Sequence, residues 1–282
     1  RPDDVYVEWS VHEKAAMELA AGASYAGARS MVTMKQVGLN VASDPLMSLE
    51  YVGIKGGMVI LVADDPGPIS SQTEQDTRHF SRFSKLPCFD PSSAQEAYEM
   101  IQEAFEYSEK YGTPVFLRPT TRVCHGYASI MVKDETEYTH HQPEGFIKDS
   151  KRWVIFPRLS FMNHKKIEAR NQELSDIFSS YEKNTIHPSC DAFKNSKKGI
   201  ATGGISYSYT METLKKTGMV KTLKIATLHP FPEKLAVDFL SGLDEVLCLE
   251  ELDPVIEREL IYICGKYHLP TRISGKLSGH TA

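Results

Sequence analysis

Glu13 is the residue of this chain whose surroundings most ask for chemistry. It stands near the head of residues 11–28, where Ala15, Ala16, Ala20, Ala21, Gly22, Ala23, Ala26, Gly27 and Ala28 cover nearly every face of a helix. Small residues all round predict a helix packed backbone-close on all sides, buried rather than half-solvated. A carboxylate in its first turn is then either an exposed N-terminal acid helped by the helix dipole or a buried acid kept for a reaction. Read alone, Glu13 is an ordinary first-turn glutamate, and Glu18 on the same helix would serve as well.

A second group follows the apolar run 58–63, which reads as a central parallel strand buried on both faces. It ends in Asp64-Asp65-Pro66-Gly67-Pro68, and ligands of open α/β sheets bind beyond strand C-terminal ends. Three readings stay open: a ligand site, a turn whose Asp side chains cap backbone amides, or a divalent metal that lacks further ligands at useful spacing. Residues 69–90 read as a long polar loop in which Ser70, Ser71, Gln72, Thr73, Gln75 and Asp76 supply donors and acceptors. Arg122, just past the next strand, either steadies an anion or forms a surface ion pair.

Other patterns fall short of a site. His12-Glu13 has Ala16 where a zinc-protease helix needs its second histidine, and Gly22-x-x-x-x-Gly27 is followed by Ala28 and Arg29 rather than by Lys and Ser or Thr. His140-His141 lacks the further ligands of a zinc site. Gly203-Gly204 sits at a strand-to-helix turn without the G-x-G-x-x-G spacing. No Ser-His-Asp order or nucleophile elbow is present, so no hydrolase is indicated.

These residues must be held by alternating strands and helices. The expected order is a short strand from Val5, the helix 11–28, a strand at 31–34, a helix at 39–52 and the strand 58–63. A helix then starts at a Ser93/Glu96 capping box and ends at Gly112, followed by the strand 114–118. A polar stretch with Pro143, Gly145 and Pro157 is the expected boundary. Beyond it, a helix over 164–183 precedes strands at 198–202, 220–227 and 246–249, with helices at 206–216, 232–240 and 254–267. That alternation predicts a second parallel three-layer α/β domain.

With 282 residues and 41% hydrophobic content the chain buries a sizeable core and is most simply two domains. A net charge of -5, without a basic run interleaved with aromatics, argues against a nucleic-acid module. The apolar run 58–63 is the longest, far short of the ~20 residues of a membrane span, so neither a nucleic-acid nor a membrane partner is expected. Cys88, Cys124, Cys190, Cys248 and Cys264 are widely spaced, with no C-x-x-C pair and no iron–sulfur spacing. They fit a reducing, cytoplasmic setting, with Cys248 and Cys264 as core residues. The chain begins at Arg1 rather than Met, and its natural start is expected upstream.

Longer stretches carry a resemblance. Trp9-Ser10-Val11-His12-Glu13-Lys14, Gly22-Ala23-Ser24 and residues 33–41 (TMKQVGLNV), then Asp64-Asp65-Pro66-Gly67, Ser70-Ser71-Gln72, Glu74-Gln75-Asp76 and Thr120-Thr121-Arg122-Val123, resemble the α subunits of indolepyruvate:ferredoxin oxidoreductases. These belong to the thiamine-diphosphate-dependent 2-oxoacid:ferredoxin oxidoreductases. The resemblance continues through residues 199–204 and 228–234.

It implies a pyrimidine-type thiamine-diphosphate-binding, doubly wound parallel α/β domain over 1–132, its N-terminal part missing. A linker over 133–158 and a transketolase C-terminal-like α/β domain over 159–282 would follow. In such enzymes a glutamate hydrogen-bonds the aminopyrimidine ring, and a carboxylate shares a proton with a ring nitrogen best when partly desolvated. The resemblance assigns that catalytic role to Glu13, with Glu18 in reserve, and puts Thr33, Met34, Lys35 and Gln36 near the cofactor. Loop position proposes Ser70, Ser71, Gln72 and Gln75, with Arg122, as 2-oxoacid contacts.

The implied activity is oxidative decarboxylation of arylpyruvates such as indolepyruvate to aryl-acetyl-CoA, carbon dioxide and reduced ferredoxin. Thiamine diphosphate with Mg2+ is the expected cofactor, its diphosphate site lying outside this chain, since no G-D-G word with a following asparagine is present. No metal ligand is assigned here. Iron–sulfur clusters, a C-terminal domain and a smaller β subunit belong to the rest of an oligomeric enzyme that also takes coenzyme A and ferredoxin, so the chain is expected to be inactive alone. Two alternatives remain: a pyruvate or 2-oxoglutarate enzyme of the same superfamily, and a non-catalytic scaffold subunit.

Overall fold

The computed structural model describes residues 5–138 and 142–281. His140 and His141 lie outside the described residues. The first half runs α1 (Glu13–Tyr25), β1 (Ser30–Lys35), α2 (Gln36–Val52), β2 (Met58–Ala63), α3 (Thr77–Ser84), β3 (Cys88–Phe89), α4 (Ala94–Tyr111), β4 (Val115–Leu117) and the short α5 (Thr121–Cys124). A largely irregular stretch holds the short α6 (Ser150–Trp153) and leads into α7 (Pro157–Phe178). Then come β5 (Thr185–His187), β6 (Lys198–Gly203), α8 (Gly204–Thr217), β7 (Lys221–Ile225), β8 (Thr227–His229), α9 (Glu233–Leu240), β9 (Glu245–Leu249), α10 (Val255–Tyr267) and β10 (Arg272–Ser274).

Two five-stranded sheets result, ordered β1-β2-β4-β3-β8 and β10-β9-β6-β7-β5. The first is parallel except for β8, and the second is parallel except for β5. As its unbroken apolar run predicts, β2 lies between two parallel neighbours. One hydrophobic cluster joins Val32, Ile60 and Val62 of the first sheet to Leu223, Ile225 and Val246 of the second. Burying each such side chain contributes roughly 1.5–3 kcal/mol, so the sheets share a core.

Local chemistry explains several boundaries. The Ser93 hydroxyl accepts from the Glu96 amide at 3.2 Å while the Glu96 carboxylate accepts from the Ser92 amide at 2.7 Å, and Gly112 at φ 59° ends α4. Such a cap contributes about 1 kcal/mol. His12 caps α1 through Nδ1, which accepts from the Ala15 amide at 3.1 Å.

Five expectations need correction. Residues 5–10 form no strand: their alternating apolar side chains, Val5, Val7 and Trp9, are exposed, and a strand needs a sheet partner to close its backbone hydrogen bonds. The α1 helix is buried along one side only, through Met17, Ala20, Ala21 and Ser24, while Glu18 and Leu19 (57% exposed) face out. Residues 69–90 are not one loop. They contain α3 and β3, and α3 escaped notice because its buried face is Thr77, Arg78, Ser81 and Ser84, which has no apolar periodicity.

The helix expected over 164–183 spans Pro157–Phe178 and packs on the first sheet: Leu174 and Phe178 cluster with Val59, Phe89, Val115 and Leu117. Phe89 and Phe178 meet edge-on with centroids 5.6 Å apart. The strand expected over 220–227 is two strands in different sheets. The Asn184 carboxamide accepts from the Ala226 amide at 2.6 Å and the Thr227 amide at 3.2 Å, satisfying the backbone where the chain leaves one sheet for the other. The edge strands β5 and β10, three residues each, were too short to show a pattern. Cys248 and Cys264 are buried core residues as expected.

Candidate functional site

Lys35 of β1 lies in register with Ala63 of β2, so the two strands end level. From these ends β1 turns directly into α2, and β2 opens into the loop 64–76. The two segments are joined repeatedly. Gln36 Nε2 donates to the Thr73 carbonyl at 3.0 Å, Ser71 Oγ to Gln36 Oε1 at 3.4 Å, Lys35 Nζ to the Ser70 carbonyl at 3.3 Å, and Asn40 Nδ2 to Gln75 Oε1 at 3.1 Å.

Within the loop, Asp65 organises the backbone. Its Oδ2 accepts from the amides of Ile69, Ser70 and Ser71 at 3.0, 2.7 and 2.9 Å, and its Oδ1 from the Thr121 hydroxyl at 2.7 Å. Burial works to raise this carboxyl, but the Ser70 amide, the Thr121 hydroxyl and the Ser71 amide outweigh it and hold the pKa at about 2. Of the readings open for Asp64-Asp65, amide capping is the one the geometry of Asp65 matches, whereas Asp64 accepts from the Thr77 amide at 3.0 Å and pairs with Arg118.

Glu13 reaches the same end of the sheet from α1. An added Cβ on Gly38, in the first turn of α2, would lie 2.6 Å from Glu13 Cγ and 2.8 Å from Oε1. Only glycine lets the glutamate side chain rest against α2 in this way. Glu13 is half-buried, and its carboxylate makes no hydrogen bond or ion pair among the described residues. The nearby cation, Lys14, is taken by Asp44 at 2.6 Å.

Beneath the loop lies a buried ionic network. Arg118, at the end of β4, donates through Nε to Asp64 at 2.6 Å and through Nη1 to Asp90 at 3.1 Å, with Asp76 3.9 Å from Nη2. Arg78 of α3 binds Asp76 and Glu250, each at 2.6 Å, and the carbonyls of Glu251 and Asp253. Glu250 in turn accepts from the amides of Val255, Ile256 and Glu257 at the start of α10. The network ties the first sheet to the second, and Asp90 occupies the Gly203-Gly204 turn, 3.0 Å from where a Cβ on Gly204 would stand.

Three carboxylates around one guanidinium titrate unequally. Burial pushes Asp90 up to about 6, with Arg118 and Arg78 pulling it back. Asp64 is likewise raised by burial against the pull of Arg118. Burial works against Asp76 too, but the paired Arg78, with Arg118, holds it at about 2.

The structure therefore brings Glu13, Lys35, Gln36, Ser70, Ser71 and Gln75 to one end of the first sheet. Ser70 and Gln72 are exposed on the loop. Thr33 lies on the exposed face of β1, whereas Met34, its neighbour on the opposite pleat, is in the core. Arg122 is in an exposed ion pair with Glu251 at 2.6 Å, the ordinary fate of such an arginine. Sequence reasoning missed Arg78, Asp90 and Arg118. The available signal was a charge closing an apolar strand: Arg118 follows Val115-Phe116-Leu117, and Asp90 follows Cys88-Phe89.

Residues 2–196, well over half of the chain, match the family described as pyruvate flavodoxin/ferredoxin oxidoreductase, thiamine-diphosphate-binding. The chain belongs to this family. It is 42% identical over 277 residues to indolepyruvate oxidoreductase subunit IorA of Methanothermobacter thermautotrophicus, covering 98% of this chain and 44% of that protein. It is also 42% identical over 261 residues to subunit IorA of Pyrococcus abyssi, covering 91% and 40%. The chain thus spans less than half the length of these curated relatives.

Among solved structures, 2-oxoglutarate:ferredoxin oxidoreductase from Magnetococcus marinus superposes with a TM-score of 0.64 at 16% identity, covering 94% of this chain and 53% of that one. A split-gene transketolase, solved as an inactive β4 tetramer, gives 0.60 at 15%, covering 94% and 71%. Both share the α/β fold expected for this pyruvate flavodoxin/ferredoxin oxidoreductase family. Among the described residues no helix is long and apolar enough to cross a membrane.

The family's thiamine diphosphate can be tested against the donors present. An unpartnered carboxylate resting on Gly38 in the first turn of α2 fits the aminopyrimidine end. The diphosphate end finds no match among the described residues: in the acidic group able to hold a metal, Asp76 is already bound by Arg78, and the Asp253 carboxylate is paired with His79 at 2.8 Å.

Proposed function

We propose that this chain is the part of an indolepyruvate:ferredoxin oxidoreductase α subunit that activates thiamine diphosphate. The enzyme would convert arylpyruvates, indolepyruvate among them, into aryl-acetyl-CoA and carbon dioxide, passing electrons to ferredoxin. The observation that carries the reading is the partner-free Glu13 carboxylate lying on Gly38 at the head of α2. Relatives named indolepyruvate oxidoreductase support the choice of substrate class.

When bound, thiamine diphosphate supplies an acidic carbon that adds to the 2-oxoacid carbonyl and takes up the electron pair left by carbon dioxide. The chain's own part begins at Glu13, which holds a proton between its carboxylate and the pyrimidine ring nitrogen and so sets the ring's protonation. Gln36 and Lys35 would help to hold that end of the cofactor, with Thr33 on the same exposed face of β1 as Lys35. Ser70, Ser71, Gln72 and Gln75 bind the 2-oxoacid from the loop above, and Met34 packs beneath. Arg122 is kept as a further contact that would first have to leave Glu251.

The remaining parts come from outside the described chain: the diphosphate and Mg2+ grip, iron–sulfur clusters, coenzyme A binding and a smaller β subunit. We also place the protein in the cytoplasm, as its widely spaced free cysteines favour. The test is calorimetric titration of thiamine diphosphate with Mg2+ into this chain, first alone and then with the remaining subunit and domain. Binding only in the second titration is expected. Absence of binding in both, from a folded protein, sinks the proposal in favour of a scaffold subunit.

A further inference from the structure

The carboxylate of Asp65 is only 3% exposed as a residue, yet it has no cationic partner among the described residues. Every bond it makes is to a neutral donor: three consecutive amides converge on Oδ2, and the Thr121 hydroxyl meets Oδ1. Successive amides pointing at one position form a cradle for an anion. Here the loop fills its own cradle: Ile69, Ser70 and Ser71 spend their amides inward, the Ile69 and Ser70 side chains are exposed, and the half-buried Ser71 hydroxyl donates to Gln36. Gly67 at φ 64°, between Pro66 and Pro68, gives the chain the tight reversal that brings those amides back to Asp65.

The reversal has one further tie, the Gly67 amide donating to Glu74 Oε1 at 3.0 Å on the exposed side of the loop. Ser70, Gln72, Thr73 and Glu74 are exposed, and the ties to α2 begin at Ser71 and Thr73. A loop of this kind opens locally at small free-energy cost unless it is held. Thr121 connects the hold to the rest of the sheet: its amide donates to the Asp64 carbonyl at 2.9 Å while its hydroxyl donates to Asp65. The carboxylate is therefore clamped between the ends of β2 and β4.

We propose that Asp65 is a positioning residue for 2-oxoacid binding, gathering the amides of Ile69, Ser70 and Ser71 so that the Ser70, Ser71 and Gln72 side chains are presented to substrate. The proposal deepens the function argued above and rests on it. Asp65 does not touch substrate. It sets the shape of the segment that does, so it acts on substrate affinity and not on cofactor binding.

The experiment uses the complete enzyme with Asp65→Asn, and with Thr121→Val as the milder variant should Asp65→Asn fail to fold. Hydrogen exchange over residues 66–73, the Kd for thiamine diphosphate, and KM and kcat for an arylpyruvate are measured together. The expected result is faster exchange at residues 69–71 and a KM raised about tenfold or more, with kcat and the thiamine diphosphate Kd changed far less; Thr121→Val moves the same way by a smaller factor. Unchanged exchange overturns the clamp. Faster exchange with unchanged KM overturns the link to substrate, as does a parallel loss of cofactor affinity. If the unmodified enzyme neither binds thiamine diphosphate nor turns over arylpyruvate, the function reading itself falls and takes the substrate role with it, while the exchange data still report the clamp.

Discussion

Arg118 Nε donates to Asp64 Oδ2 at 2.6 Å with both side chains wholly buried, one at the end of β4 and the other just past the end of β2. The same guanidinium reaches Asp90, whose carboxylate lies in the turn between β6 and α8. One side chain thus couples the loop-bearing strand ends of the first sheet to the second sheet. A buried charge of this kind is stabilising only while its partners remain.

Arg118→Met removes the cation from three carboxylates at once. A loss of about 3–5 kcal/mol is expected from leaving buried charge uncompensated, read as a lowered urea midpoint at pH 7. A variant as stable as the parent would show that the network is dispensable.

Asp76 and Asp90 set opposite limbs of the pH profile. Asp76, held at about 2 in the folded protein, contributes stability above about pH 4 that is lost as pH falls through 2, roughly 2 kcal/mol in all. Asp90, pushed up to about 6, does the reverse: its contribution is full below about pH 4 and lost as pH rises through 6. Urea midpoints from pH 3 to 8 should lose the acid-side fall in Asp76→Asn and the fall between pH 4 and 6 in Asp90→Asn.

Glu13→Gln keeps the size of the side chain but cannot hold the shared proton. Turnover of the complete enzyme should drop by about 10²–10⁴, with little change in unfolding, because the carboxylate makes no ion pair that folding relies on. Retention of turnover within a few-fold would remove Glu13 from the mechanism.

Gly38→Ala separates packing from stability. Alanine favours a helix over glycine by about 1 kcal/mol, yet its Cβ would stand 2.6 Å from Glu13 Cγ. The expected variant is folded with an undiminished melting temperature and turnover lowered at least tenfold, since Glu13 must swing away. Normal turnover would mean that the contact with Gly38 does not position the glutamate.

Much of the architecture was readable along the chain. The apolar run of β2, the Ser93/Glu96 cap and the Gly112 stop of α4, and the alternation after residue 198 rest on interactions within a few residues of each other, which is why sequence carries them. Glu13, Lys35, Gln36 and the serine-rich loop were singled out through words of sequence as the proposed site, and β1 and β2 end level because parallel strands of equal length pair in register.

Tertiary structure alone decided the rest. The buried face of α3 is polar because Arg78 finds its partners up to 175 residues away, at Glu250 and the carbonyls of Glu251 and Asp253. Residues 221–229 split between two sheets because the Asn184 side chain meets the amides at the break. α7 joins the first sheet because Phe89 and Val115 offer it an apolar surface. Local sequence thus determined the long helices and the apolar central strands, while the polar helix α3 and the short edge strands took their form from packing. Where each buried charge finds its counter-charge was set by long-range packing, because burying an ion is tolerable only when the whole fold delivers its partner.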